Sequence, residues 1–460
     1  MTGLWTALLL VLQVMAAERR PWIEPLPDVR LEPTLPFRSE ADFGPDSAYR
    51  LLLRATELPE ERGLAEALRQ WEENLQYSPW QVAGTGWAES LLRDAEPCLE
   101  LARRAAVAPD PQVPTNYSFC GDNSDLTTKV GTLTYYLILS AYAKEGRGDP
   151  AGAIAELLVC IRCGGILSRG GGISNRLVDI IISYRASRAI HAIATRNDIP
   201  APVLRRYAGE LLQISDRVEP CAEAIRHEAK MQEDMFDKLD VVAGMVDIPM
   251  LGKEMRGREP LCWLAARVFN LATGSTEASM RRSSAALFQH YVRLASQPYG
   301  SEKDARLRAL PPRLGPDVAC FFFQIEDPMG LVFAQAYSPS AFSFAARCAE
   351  RDAALRGMAL FLAVRAYEVE QRRPPILATD LVPEFLPRLP LDPFDGKPLR
   401  YVFGKVPATW GEVEWGIYSI GRDFADDGGR LPDPPSIGPY GRSEIPCDIV
   451  WIPRILAREQ

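Results

Sequence analysis

Histidine is scarce: the 460-residue chain holds three, His191, His227 and His290, far apart and each inside a helical pattern. Isolated helical histidines are packed or solvated far more often than they are ligands, so a histidine-based centre has little to build on. No HExxH, phosphate-loop, dinucleotide-binding or GxSxG pattern occurs. Basic excess is missing too. A net charge of −8 and a pI near 5.3 argue against a nucleic-acid binder, which needs a dense basic face. A composition of 47% hydrophobic and 24% charged residues excludes both disorder and a bundle of membrane spans. Strand-like alternation is almost absent before residue 315. The turn Lys144–Ala151 looks like the tight helix turn of a tetratricopeptide array, yet no period of roughly 34 residues is sustained.

Cysteine is present but not dense. The nine are scattered and odd in number, so in an oxidising compartment at least one stays unpaired within the chain. Cys98 and Cys120 flank a Pro-rich loop and are the best-placed local bridge, with free buried thiols as the alternative. Cys160 and Cys163 form a CxxC at the end of an expected helix, beside Gly164. The helix dipole there opposes a thiolate, and no second CxxC or His pair completes a zinc site, so this pair reads as helix packing.

Much of the chain is amphipathic helix. After the Pro-rich stretch Pro21–Pro36, apolar residues recur at three- and four-residue spacing from Ser47 and again from Glu61. Further helices are expected near Trp87–Ala105, Leu126–Lys144, Pro150–Cys163, Asn175–Ala194 and Pro202–Ile214. Asp149 is placed to cap the third of these, Pro150 to open it, and Gly164-Gly165 to stop it. The run Gly170–Gly172 reads as an inter-helix loop, since no strand leads into it. Gln297–Pro316 is the best boundary, and Asp327-Pro328 can start a long helix.

At the N-terminus, the apolar run Leu4–Val14 is too short for the ~20 residues of a bilayer span. Val14 and Ala16 suit a signal-peptidase site. A basic n-region is missing: either the signal is weak or the true start lies upstream. Export is expected, with a periplasmic or membrane-associated location.

The most distinctive residues lie near the C-terminus. LPLDPFDGKPLRY runs from Leu389 to Tyr401, YSIGRDFADDGG from Tyr418 to Gly429, and DIVW from Asp448 to Trp451. Together they resemble the LPxDPWGxPY, YSxGxDGxxGG and DADIxxW segments of the type II secretion major pseudopilins, in their globular domain. The helix Arg351–Arg373 looks like the family's long helix. The whole chain is also similar to bacterial envelope proteins that join a helical N-terminal region to such a module. No activity comes with that resemblance. Here a long helical region stands where pseudopilins have a leader and a transmembrane helix.

Asp423, Asp426 and Asp427 crowd a Gly-permitted turn, the kind of oxygen cluster calcium requires. The resemblance implies calcium held by Asp423, by Asp426 or Asp427, and by Asp448. Asp426-Asp427-Gly428-Gly429 would also make a good turn without metal.

These observations assemble into an α+β multidomain chain. Residues 1–16 form a signal peptide or short membrane anchor, 17–40 a Pro-rich linker, 41–300 an α-helical domain and 318–460 a separable pseudopilin-like module. The expected function is non-enzymatic: an exported envelope protein in contact with other envelope proteins, beside type II secretion-like machinery, with calcium as its cofactor. The alternative is a hydrolase whose active site lies in the helical domain, which would show as a cleft with converging carboxylates or histidines.

Overall fold

Helix starts follow local chemistry. In the computed structural model, which describes residues 20–61, 84–115, 123–238, 277–310, 325–326, 328–430 and 449–453, the Asp149 carboxylate accepts from Gly152 N at 2.8 Å. Pro150 then opens the helix where a missing N–H costs nothing. Likewise Thr85 caps the helix at Gly86, its hydroxyl accepting from Ala88 N at 3.3 Å.

Ten α-helices occur among the described residues: α1 Ala48–Glu61, α2 Gly86–Val107, α3 Asn123–Gly146, α4 Pro150–Ser168, α5 Ile173–Arg196, α6 Ala201–Asp216, α7 Cys221–Lys238, α8 Glu277–Ala295, α9 Ser301–Arg308 and α10 Pro328–Gln371. Strands β1 Arg20–Pro21 and β2 Ile325–Glu326 form a minimal parallel pair. Strands β3 Arg400–Phe403, β4 Trp415–Ser419 and β5 Ile449–Trp451 make an antiparallel sheet with β4 central. The fold is therefore mostly helical α+β. The N-terminal apolar run, most of the helical pattern from Glu61, Cys120 and Asp448 lie outside the described residues.

One expectation is corrected. Gly164 and Gly165 do not stop α4, which continues to Ser168. Their role is close approach. A Cβ on Gly164 would lie 2.9 Å from Asp179 Oδ1 and 3.3 Å from Asp179 Cα, so the missing side chain lets α5 cross tightly. The CxxC consequently sits inside α4, with both thiols buried. Burial pushes the Cys163 thiol up to about 12 and Cys160 well above its usual range, which keeps both protonated.

By length and apolarity α4 is long enough to cross a membrane. Here α2, α3 and α5 pack around it, which makes it the core helix. Buried Glu156 joins α2, α3 and α4: it accepts from Arg103, at 2.7 and 3.1 Å, and from Lys144 at 2.7 Å. The Pro-rich stretch is an extended strap over α7 and α8. Leu26 N donates to Gln289 at 2.7 Å, Thr34 N to Glu223 at 2.8 Å, and His290 to the Glu24 carbonyl at 2.9 Å.

The 44-residue helix α10 packs along α6 and α5 and also meets α8, β4 and β5. One apolar cluster consequently runs from Ile23 in the strap to Trp451 in the last strand, without a break at residues 297–310. The sheet seats on α10 by three tryptophan-centred contacts. Trp451 fills a notch at Gly357, where a Cβ would come within 2.4 Å of its ring. The Trp415 ring lies 5.4 Å from Phe361, and its Nε1 donates to Glu368 at 2.6 Å. Beyond β5, the Ile452 carbonyl accepts from His191 of α5 at 2.8 Å.

Candidate functional site

Polar groups gather in two places, one local in sequence and one assembled from distant elements. The local one is the turn of the LPLDPFDGKPLRY motif. Asp392 N donates to Lys397 O at 2.7 Å and Gly396 N to Asp392 O at 2.9 Å, closing a tight loop that needs the positive φ of Gly396. The Asp392 side chain is fully buried. It accepts from Phe394 N at 3.0 Å, Ile420 N at 3.0 Å, Ser419 Oγ at 2.9 Å and Arg400 Nη1 at 2.8 Å. Burial raises its pKa, and the hydrogen bonds and the Arg400 charge oppose that rise. The aspartate of the first motif and the serine of the second thus form one latch. Its chemistry is that of a satisfied internal hub.

Arg400 also reaches the acidic turn. It pairs with Asp392, with Asp395, and with Asp426 at 3.6 Å. A built-in guanidinium stands beside the carboxylate that a calcium ion would share. Asp426 further accepts from Tyr418 OH at 2.9 Å and from Gly428 N at 3.1 Å. Asp423 accepts from Ala425 N at 3.2 Å, and Asp427 is exposed. The structure therefore holds Asp423, Asp426 and Asp427 on one turn, with Asp423 and Asp426 turned to the turn's own N–H groups and Asp426 also to Arg400. Among the described residues no three His, Cys, Asp or Glu side chains converge as a metal site. Asp448, the fourth expected ligand, lies outside those residues.

The second place was not legible in the sequence. A cavity of about 410 Å³ opens between the end of α2, the C-terminal half of α4, the start of α5, the α6–α7 turn and α10. Five arginines line it, Arg162, Arg169, Arg176, Arg217 and Arg351, against two acids, Asp110 and Glu219. Its floor is a buried network on Asp179. That carboxylate accepts from Arg176 at 3.2 Å, Arg351 at 3.2 Å and Ser183 Oγ at 3.3 Å. Arg351 also donates to Ser183 at 3.2 Å, and Arg176 to the Glu219 carbonyl at 3.2 Å. The Glu219 carboxyl is pushed up to about 7, chiefly by burial and by nearby Glu223, against the pull of Arg176, Gly170 N–H and Arg169. The Gly170–Gly172 turn joins α4 to α5 and places Arg169 and Arg176 on the same cavity.

The three histidines are dispersed. His191 and His290 hold backbone carbonyls. His227 is buried, and burial lowers it to about 4. Comparison with known family models, characterised proteins and solved structures returns no match to this chain.

Proposed function

We propose that the chain is an exported envelope protein that acts by contact with other envelope proteins, beside type II secretion-like machinery, with a pseudopilin-like C-terminal module welded to a helical scaffold. The observation that carries this reading is the Asp392–Ser419 latch at 2.9 Å, which joins two of the spaced pseudopilin-like motifs in one buried interaction. Motif residues used in this way preserve a fold and leave the exposed acidic turn as the presented surface. Calcium on that turn, through Asp423, Asp427 and Asp448, belongs to the proposal. Of the two alternatives Asp426 and Asp427, the proposal takes Asp427, because Arg400 already faces Asp426.

The hydrolase alternative requires a cleft of converging carboxylates or histidines. The helical region has a cleft, but its charged lining is five arginines against Asp110 and Glu219, with no histidine. That lining favours binding over proton transfer.

Export is tested by fractionating the native host and sequencing the mature N-terminus. Cleavage close to Ala17 in an envelope fraction supports the reading. An intact Met1 on a cytoplasmic protein overturns it.

A further inference from the structure

The charges around the cavity do not cancel. Arg162 is paired with Glu210 at 2.7 Å, and Asp110 with Arg38 at the rim. Among the described residues no carboxylate lies within ion-pair distance of Arg169 or Arg217. On the floor, Arg176 and Arg351, 4% and 0% exposed, share the single buried carboxylate of Asp179, with half-buried Asp352 3.4 Å from Arg351. Asp179 and Asp352 answer the two floor guanidiniums, so the uncompensated positive charge at the cavity lies on Arg169 and Arg217, beside a low-dielectric floor that screens it poorly.

The walls are of a different character. Ile161 and Ile166 of α4 and Ile214 and Val218 beyond them make much of the lining apolar. Glu219 is one of the lining residues, and its Oε1 is buried and has no hydrogen-bond partner. A volume of about 410 Å³ falls within the span of small-molecule sites.

We propose that this cavity binds a small amphipathic anion, with an oxyanion head on Arg169 and Arg217 above the Arg176–Asp179–Arg351 floor and an apolar body against the isoleucine walls. Arginine suits carboxylate and phosphate heads alike, because its planar fork donates two parallel hydrogen bonds. Glu219 completes the site as a neutral acid that donates to the head. When ionised it repels the head, so binding tightens as pH falls through neutrality. The groups acting on Glu219 are Arg176 of α5, Arg169 and Gly170 N–H of the α4–α5 turn, and Glu223 of α7.

Titration calorimetry of the full chain at low ionic strength tests this with hexanoate, hexyl phosphate, 1-hexanol and inorganic phosphate. Both hexyl anions should bind, and hexanol and inorganic phosphate should bind at least tenfold more weakly. Whichever hexyl anion binds more tightly identifies the head. Arg217→Gln, at an exposed position without an ion pair, should weaken the anions at least fivefold with an unchanged melting temperature. Glu219→Gln should keep binding and flatten its dependence on pH between 6 and 8, a window of roughly one unit either side of the shifted carboxyl. Hexanol binding as tightly as hexanoate, no binding of either anion, or an R217Q variant with wild-type affinity would overturn the proposal.

Discussion

The latch at Asp392 and the cavity above Asp179 each centre on a buried aspartate facing arginine, yet they differ in how the chain supplies them. Asp392 and Asp395 come from one short loop, Arg400 from the first residue of β3 that follows it, and Ser419 and Ile420 from the end of β4. Arg169 and Asp179 come from the α4–α5 turn and α5, Arg217 from the α6–α7 turn and Arg351 from α10, three stretches far apart in sequence. In the latch, carboxylates outnumber the cation, and backbone N–H groups satisfy the remaining lone pairs. In the cavity, arginines outnumber the carboxylates that face them, and among the described residues no carboxylate lies within ion-pair distance of Arg169 or Arg217. The first arrangement closes on itself, whereas the second leaves a field for a ligand.

Removing each hub separates the two most sharply. Asp179→Ala leaves two buried guanidiniums without their shared partner, and the full chain should lose about 3–5 kcal/mol in denaturant unfolding. Asp392→Ala should cost roughly 2–4 kcal/mol, since it strands two backbone N–H groups and half of Arg400. If Asp392→Ala proved nearly neutral, the latch would not hold the sheet. Gly357→Ala tests the seat of Trp451 and should destabilise by about 1–3 kcal/mol through overpacking, read as a drop in melting temperature.

Motifs confined to a few residues around a turn, such as Asp392-Pro393 and Tyr418-Ser419, could be read because proline, glycine and strand formers are spaced by local geometry. The capping of α4 by Asp149 was legible for the same reason. The stop expected at Gly164 was not, because a glycine that ends a helix and one that admits a neighbouring helix look alike without knowledge of Asp179. The cavity was hidden because its arginines belong to four elements and resemble ordinary helix-surface charge until α10 folds over α5 and α6.

Acidity gives a smaller, pH-dependent effect. His227 is held to about 4 by burial, against 6.5 when free. As pH falls from 6.5 towards 4 the unfolded chain takes a proton that the folded chain refuses, so stability falls with pH in that window. His227→Gln should flatten the acid limb of a melting-temperature profile. Glu219 has the opposite sign: its carboxyl is raised from 4.5 to about 7, so its contribution is lost as pH rises through that interval. The smallest shift expected is calcium's. Calcium at millimolar concentration should raise the melting temperature of the full chain, and Asp423→Ala should remove that shift. Asp426→Ala should largely retain it, because its carboxylate already faces Arg400. A melting temperature indifferent to calcium and chelator would make the turn an acidic surface only.

The C-terminal sheet and the helical scaffold share one core through α10. The direct measurement is thermal unfolding, by circular dichroism, of a fragment spanning residues 318–460 beside the full chain. With α5 and α6 absent, the apolar face of α10 that carries Phe361 and Met358 loses its cover. The fragment should show no cooperative transition, with or without calcium, whereas the full chain melts in a single one. A fragment that unfolds cooperatively with its own sheet intact would contradict it.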